Sequence, residues 1–163
     1  MSEHKAHTHT HVHDGRDPKN AFSGWFEGMT HVLPVRVYYE DTDTSGIVYH
    51  ANYLRYFERG RSDFLRMAGV HHLVMLQGED RLAWTIRRIN VAYHKPARVD
   101  DLLHVRTNYM EMKGARLSGH QSVVRGHDVL ATAEIEAAII TLDGRPRRIP
   151  ADVVEKLAPY VGA

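Results

Sequence analysis

The stretch VRVYYEDTDTSGIVYHANYLRYFERGRSDFLRMAG, residues 35–69, passes from strand through an acidic loop into a helix, and its reading decides the fold. Val35, Val37 and Tyr39 alternate with Arg36, Tyr38 and Glu40, the period of a half-buried strand. Asp41, Thr42, Asp43, Thr44, Ser45 and Gly46 then form a polar loop, and Ile47, Val48 and Tyr49 lead into the helix. Along that helix Tyr53, Phe57, Gly60, Phe64, Met67 and Ala68 recur at steps of three and four, which predicts one buried stripe. Arg55, Arg59, Ser62, Asp63 and Arg66 fall outside the stripe and are expected to face water, and Gly69 is placed to end the helix.

Outward from this stretch, composition sets the limits. With 163 residues, 43% of them hydrophobic, the chain is long enough for one full core and too short to need two. A formal charge of +1 gives no general case for nucleic-acid or membrane binding. The absence of cysteine excludes disulfides, thiolate metal sites and a Cys nucleophile. No apolar targeting segment or bilayer-length apolar run is visible, so a cytoplasmic protein is expected.

Towards the N-terminus, His4, His7, His9, His11 and His13 are interleaved with polar residues, and residues 1–30 read as a histidine-rich, largely disordered tail before a domain at 31–163. Such imidazoles offer at most weak chelation, with no fixed geometry and no second layer of supporting contacts, so no metal site is assigned. Phe22, Trp25, Phe26 and Met29 can dock as a short arm, with Pro34 marking entry to the first strand.

Beyond the helix, His71 to Gly78 suggests a short second helix, after which the pattern turns to strands. Trp84 and Ile86 share one phase whereas Ile89, Val91 and Tyr93 share the other, which places a bulge near Arg87 and Arg88. Leu103, Val105, Thr107 and Tyr109 alternate, a turn follows at Lys113 and Gly114, and further strands run through Leu117 to Val123 and Val129 to Thr141. Short turns favour antiparallel pairing. The expected architecture is α+β, a curved antiparallel sheet wrapped around one long helix.

Tyr38 to Arg66, YYEDTDTSGIVYHANYLRYFERGRSDFLR, resembles the signature of the 4-hydroxybenzoyl-CoA thioesterase family of hotdog-fold acyl-CoA thioesterases. The likeness is strongest to the branch of short-chain enzymes associated with the bacterial Tol-Pal envelope system. It extends from about Val32 to Leu157, through VAYHKPARVDD at 91–101 and RPRRIPADVVEKL at 145–157. The resemblance implies hydrolysis of a short-chain or aromatic acyl-CoA to free acid and CoA, with no cofactor beyond the CoA of the substrate.

Among the acidic residues of the loop, sequence alone leaves open which does chemistry; strand phase would put Asp41 and Asp43 on one face and Glu40 on the other. The resemblance assigns the catalytic carboxylate to Asp43, as general base or nucleophile, and the oxyanion donor to the backbone N–H of His50. The His50 imidazole is a further candidate for orienting water or protonating the leaving group. Glu58, two turns along the helix, is a weaker candidate base and more readily an ion-pair partner of Arg55 or Arg61. Arg87, Arg88, Lys95, Arg145, Arg147 and Arg148 are candidates for the CoA phosphates.

Other functions remain open to this fold. A hotdog dehydratase or hydratase pairs a His with an acid, as His50 and Asp43 could imitate, and a non-catalytic acyl-CoA or acyl-carrier binding protein would leave the site silent. The open sheet edge and the resemblance together predict a homo-oligomer, a dimer or a dimer of dimers (a homotetramer), with Asp43 near the subunit boundary. The resemblance also admits an acyl carrier protein or enzymes of phospholipid synthesis as partners, and no nucleic acid.

Overall fold

Alternating apolar residues lay down the sheet, and the apolar stripe of the central helix seals it. A computed structural model describes residues 22–162. In chain order the elements are β1 (Trp25–Glu27), β2 (Thr30–Arg36), α1 (His50–Met67), α2 (His72–Gln77), β3 (Leu82–Tyr93), β4 (Leu102–Lys113), β5 (Arg116–Arg125), β6 (Asp128–Thr141) and α3 (Ala151–Leu157). The strands form one antiparallel sheet in the order β1-β2-β4-β5-β6-β3, with α1 on one face, as the sequence predicts. Among the described residues β3 pairs only with β6, so its other edge carries no partner there. The expected bulge is present, as a register shift in the β3–β6 ladder between Ile86 and Arg88.

Close approach of α1 to the sheet is made possible at Gly60. A Cβ there would stand 2.7 Å from Val105 Cγ1 and 3.0 Å from Thr107 Oγ1. Next to this contact Gln121 donates to the Phe57 carbonyl at 2.9 Å and to Thr107 Oγ1 at 2.8 Å, while its own oxygen accepts from Arg61 at 2.8 Å. Every polar group of that buried amide therefore has a partner, which is what allows it to lie in the core. Further along α1, Phe64 packs edge-on against Tyr109 and Phe26, and Phe26 stacks on Tyr160 near the C-terminus.

Four details depart from the sequence reading. The sheet begins at Trp25, upstream of the expected domain boundary at 31, because β1 closes a hairpin on β2; residues 1–21, which hold the histidine-rich run, lie outside the described residues. Pro34 sits inside β2, opposite His104, and is tolerated because β1 has already ended at its level, leaving no ladder bond to lose on that side. The strand phase stops at Arg36: a 3-10 turn at Tyr39–Asp41 leaves Tyr39 exposed and buries Asp41. Asp63 does not face water. The arm covers it, and it accepts from the Gly24 N–H at 2.7 Å, pairs with buried His31 at 3.0 Å and meets Arg66 at 2.6 Å.

Burial alone would raise the Asp63 pKa, but His31, the Gly24 N–H and Ser23 outweigh it and hold the carboxyl below its ordinary value. Removing His31 or the Gly24 N–H would leave the buried Asp63 carboxylate short of a partner, so the cluster clamps the arm to α1.

Gly60→Ala is expected to lower the unfolding free energy by about 1–3 kcal/mol, because the added methyl is forced into Val105. In an open helix the same change would favour folding by up to ~1 kcal/mol. Urea denaturation at an unchanged m-value distinguishes the two signs.

Candidate active site

The loop after β2 is organised by Asp41. Its Oδ2 accepts from the Tyr38 N–H at 2.8 Å, and its backbone carbonyl accepts from the Tyr49 N–H at 2.9 Å and from Asn52 Nδ2 at 2.8 Å. Asp41 thus ties the segment after β2 to the start of α1, through its carboxylate on one side and its backbone carbonyl on the other. Between these anchors the chain makes a tight turn, with Asp43 N donating to the Ile47 carbonyl and Gly46 N to the Asp43 carbonyl, each at 3.0 Å. Gly46 takes φ +75°, a conformation that costs a glycine little.

Asp43 stands at the exposed tip of this turn. Its Oδ1 accepts from the Ser45 N–H at 2.8 Å and from the Ser45 hydroxyl. The hydroxyl bond and then the backbone bond hold the carboxyl below the ordinary carboxylate range, with a smaller Coulombic pull from His50. The result is an ionised, solvent-reachable carboxylate close to the His50 imidazole. Asp41 and Asp43, expected on one strand face, have divided: the first is buried and the second is exposed.

His50 opens α1, and an N–H in that position has no intrahelical acceptor. The preceding residue, Tyr49, makes no side-chain capping bond, and the first turn holds no acidic residue. A donor end with a favourable dipole is therefore left uncapped. Tyr93 of β3 donates to the His50 carbonyl at 2.9 Å and meets the imidazole edge-on, fixing the helix start against the sheet. Together with Ile47, Tyr53, Lys95 and Pro96 these residues line a mainly apolar groove of about 310 Å³. Asp43 is not among its walls.

Of the six expected phosphate-binding cations, only Lys95 lines this groove, where it also pairs with Asp128 at 2.5 Å. Arg87 pairs with Glu136, Arg145 with Asp143 at 2.9 Å, and Arg147 with Asp80 at 3.2 Å, whereas Arg88 and Arg148 have no carboxylate partner among the described residues. Arg145, Arg147 and Arg148 follow β6 at the Leu82 end of β3, while Tyr93 at the other end touches His50. A strand of that length separates the two ends by roughly 35 Å, so one protomer does not bring the six together. Glu58 is engaged with Arg61 and with the Ser62 hydroxyl, each at 2.7 Å, and is not directed at the Asp43 turn. Sequence reasoning missed Ser45 and Tyr93; a hydroxyl two residues after an Asp in a turn was the available signal for the first.

The model of the thioesterase-like superfamily matches residues 37–157, from the strand end through α3. The chain belongs to this superfamily. It is 39% identical over 126 residues to the acyl-CoA thioester hydrolase YbgC of Escherichia coli O6:H1, covering 74% of this chain and 90% of that one. It is 40% identical over 122 residues to the acyl-CoA thioesterase YbgC of Haemophilus influenzae, covering 74% and 89%. A probable thioesterase from Bartonella henselae superposes with a TM-score of 0.72 at 41% identity, over 74% of this chain and 99% of that one. A 4-hydroxybenzoyl CoA thioesterase complexed with 4-hydroxybenzoyl CoA superposes at 0.74 over 79% and 99%, and at 20% identity it attests the fold alone. The hotdog fold expected from the sequence is therefore the fold of this superfamily member. No helix among the described residues is long and apolar enough to cross a membrane.

Replacing Ser45 by Ala removes the hydroxyl donor and keeps the backbone one. The Asp43 titration midpoint, followed by carboxyl-carbon NMR, is expected below the ordinary Asp value of about 3.9 in the native chain and to move upward in Ser45→Ala. An unmoved midpoint would show that the hydroxyl does not set the carboxylate's acidity.

Proposed function

We propose that this protein is an acyl-CoA thioester hydrolase in which Asp43 supplies the catalytic carboxylate and the backbone N–H of His50 the oxyanion donor. The observation that carries the reading is the joint placement of an ionised, exposed Asp43 and the uncapped start of α1 on either side of one short turn. The matching relatives, named for acyl-CoA thioester hydrolysis, support the reaction.

Asp43 takes a proton from water as the water oxygen attacks the thioester carbonyl, or attacks that carbon itself to form an anhydride that water then opens. Negative charge developing on the carbonyl oxygen is met by the His50 N–H, aided by the dipole of α1. The C–S bond breaks as the tetrahedral adduct collapses, to the free acid on the first route and to the anhydride on the second, and CoA thiolate leaves, taking a proton from solvent or from the His50 imidazole. Because Asp43 is held below the ordinary carboxylate range, it is already a base well below neutral pH. Activity should therefore persist as pH falls until Asp43 itself protonates.

The free edge of β3 supports a dimer in which two copies pair their sheets edge to edge. Antiparallel pairing about a two-fold axis sets the Leu82 end of one β3 beside the Tyr93 end of the other. Arg145, Arg147 and Arg148 of a second copy then approach the groove that holds His50 and Lys95, which is where CoA phosphates need cations. Lys95, with Arg88 and Arg148, which have no carboxylate partner among the described residues, are the strongest of these candidates. A further pairing of dimers and a cytoplasmic location belong to the same reading.

Asp43→Asn keeps size and most hydrogen bonding while removing the base. kcat on a panel of short, aromatic and long acyl-CoAs is expected to fall by about 10²–10⁴-fold. The Kd of a nonhydrolysable acyl-CoA analogue should change less than about threefold, since the oxyanion donor is untouched. Wild-type turnover by Asp43→Asn, with Glu58→Gln inactive, would move the chemistry to the helix carboxylate.

A further inference from the structure

The His50 N–H lies between backbone groups that are held from both sides. On its N-terminal side the Tyr49 N–H donates to the Asp41 carbonyl at 2.9 Å, and the Tyr49 carbonyl accepts from the Asn52 N–H at 2.8 Å. On its C-terminal side the His50 carbonyl accepts from the Tyr93 hydroxyl at 2.9 Å, a bond between residues 43 positions apart. This last bond occupies an oxygen. It takes none of the free N–H groups at the start of α1, so the donor that a developing oxyanion needs stays open.

Tyr93 is itself held. Its ring meets Tyr53 edge-on with centroids 5.4 Å apart, and the hydroxyl of buried Tyr53 accepts from the Ala97 N–H at 3.1 Å. The Ala97 carbonyl in turn accepts from the Val48 N–H at 2.9 Å. The end of β3, the segment before α1 and the first turn of α1 thus form one closed circuit through Val48, His50, Tyr53, Tyr93 and Ala97. Partial burial raises the Tyr93 hydroxyl above its ordinary value, so it remains a proton donor throughout the neutral range.

A hydroxyl on a supported ring, bonded one peptide beyond the reacting N–H, supplies direction. An oxyanion donor acts only when it points at the place where charge develops, and a misplacement of about 1 Å can cost on the order of 10²-fold in rate.

We propose that Tyr93 is a positioning residue for thioester hydrolysis: through its hydroxyl bond to the His50 carbonyl it aims the His50 N–H at the oxygen of the tetrahedral adduct. This rests on the oxyanion assignment of the thioesterase reading and adds the residue that makes the donor effective. Tyr93 acts through His50 and exchanges no proton with the substrate. Its contribution is realised as the carbonyl oxygen becomes charged, so it belongs to kcat and not to binding.

Tyr93→Phe removes the hydroxyl and keeps both ring contacts at a half-exposed position, so the variant is expected to fold, which circular dichroism checks. On the best substrate of the acyl-CoA panel its kcat should fall about tenfold or more, short of the ~10²–10³-fold cost of losing an oxyanion donor outright. KM, and the Kd of a ketone analogue with a methylene in place of the thioester sulfur, should stay within about threefold. The acid limb of the pH profile should not move, because Asp43 is untouched. In a His50→Ala background, which keeps the N–H and loses the imidazole, Tyr93→Phe should lower kcat by the same factor. Unchanged kcat in Tyr93→Phe, a loss carried by KM, or a loss that vanishes in His50→Ala overturns the proposal.

A second measurement needs no turnover. In the wild type the ketone oxygen should draw the His50 amide proton downfield, and in Tyr93→Phe that shift should be about half as large or less. Equal shifts in the two proteins overturn the proposal. A wild-type amide that does not respond at all refutes the oxyanion assignment itself, and the positioning role falls with it.

Discussion

Helix α1 can lie against the sheet only as closely as its smallest residue allows, and most of the molecule follows from that distance. At Gly60 the backbone of α1 comes within reach of Val105 and Thr107, and no larger residue fits without displacing them. The same approach brings Gln121 to the Phe57 carbonyl. A helix standing further off would leave that buried amide unpaired. Phe57 and Phe64, on the same stripe, are then fully enclosed, each contributing about 1.5–3 kcal/mol through burial. The cost is specialisation, since a helix sunk into a sheet leaves only its ends for chemistry.

The first of those ends is open because its anchoring comes from elsewhere. Asp41 holds Tyr38, Tyr49 and Asn52, so the loop is tethered without a side chain capping α1. The two aspartates of the loop thus serve different ends. Asp41 spends its carboxylate on the Tyr38 backbone N–H in a buried setting, while Asp43 keeps one oxygen on Ser45 and leaves the other without a protein partner among the described residues.

Much of this was legible in the sequence. The period of Tyr53, Phe57, Gly60 and Phe64 marked the buried face of α1, and the phase change from Trp84 and Ile86 to Ile89 and Val91 located the bulge, because both depend on local periodicity. The acidic loop was legible as a site only through the resemblance of its whole string, since an Asp before a helix is more often a turn or cap residue. Asp63 was misread because its environment is made by Gly24 and His31, which are distant in sequence. How the six candidate phosphate-binding cations group in space was not legible for a related reason. Their grouping depends on which strand lies at the sheet edge, and β3 reaches the edge only because β6 returns to pair with it from far along the chain.

That edge also explains why β3 carries a bulge and uneven burial. Its residues from Ile86 to Arg88 are exposed in the single chain, and the bulge at Arg87 interrupts the regular ladder where the charged pair of arginines sits. Arg87 is drawn to Glu136 on β6, which turns one of the two cations towards the strand's own sheet and leaves Arg88 without a carboxylate partner among the described residues. An unbulged strand of this length would be a flat hydrogen-bonding edge, open to pairing in many registers. With the bulge, registers no longer present equivalent faces, and a two-fold pairing centred near it is distinguished from its slipped alternatives. In the proposed dimer, that local irregularity would hold the start of each α1 at a fixed place along the neighbouring strand, so that the same few residues would bear on both the assembly and the candidate site.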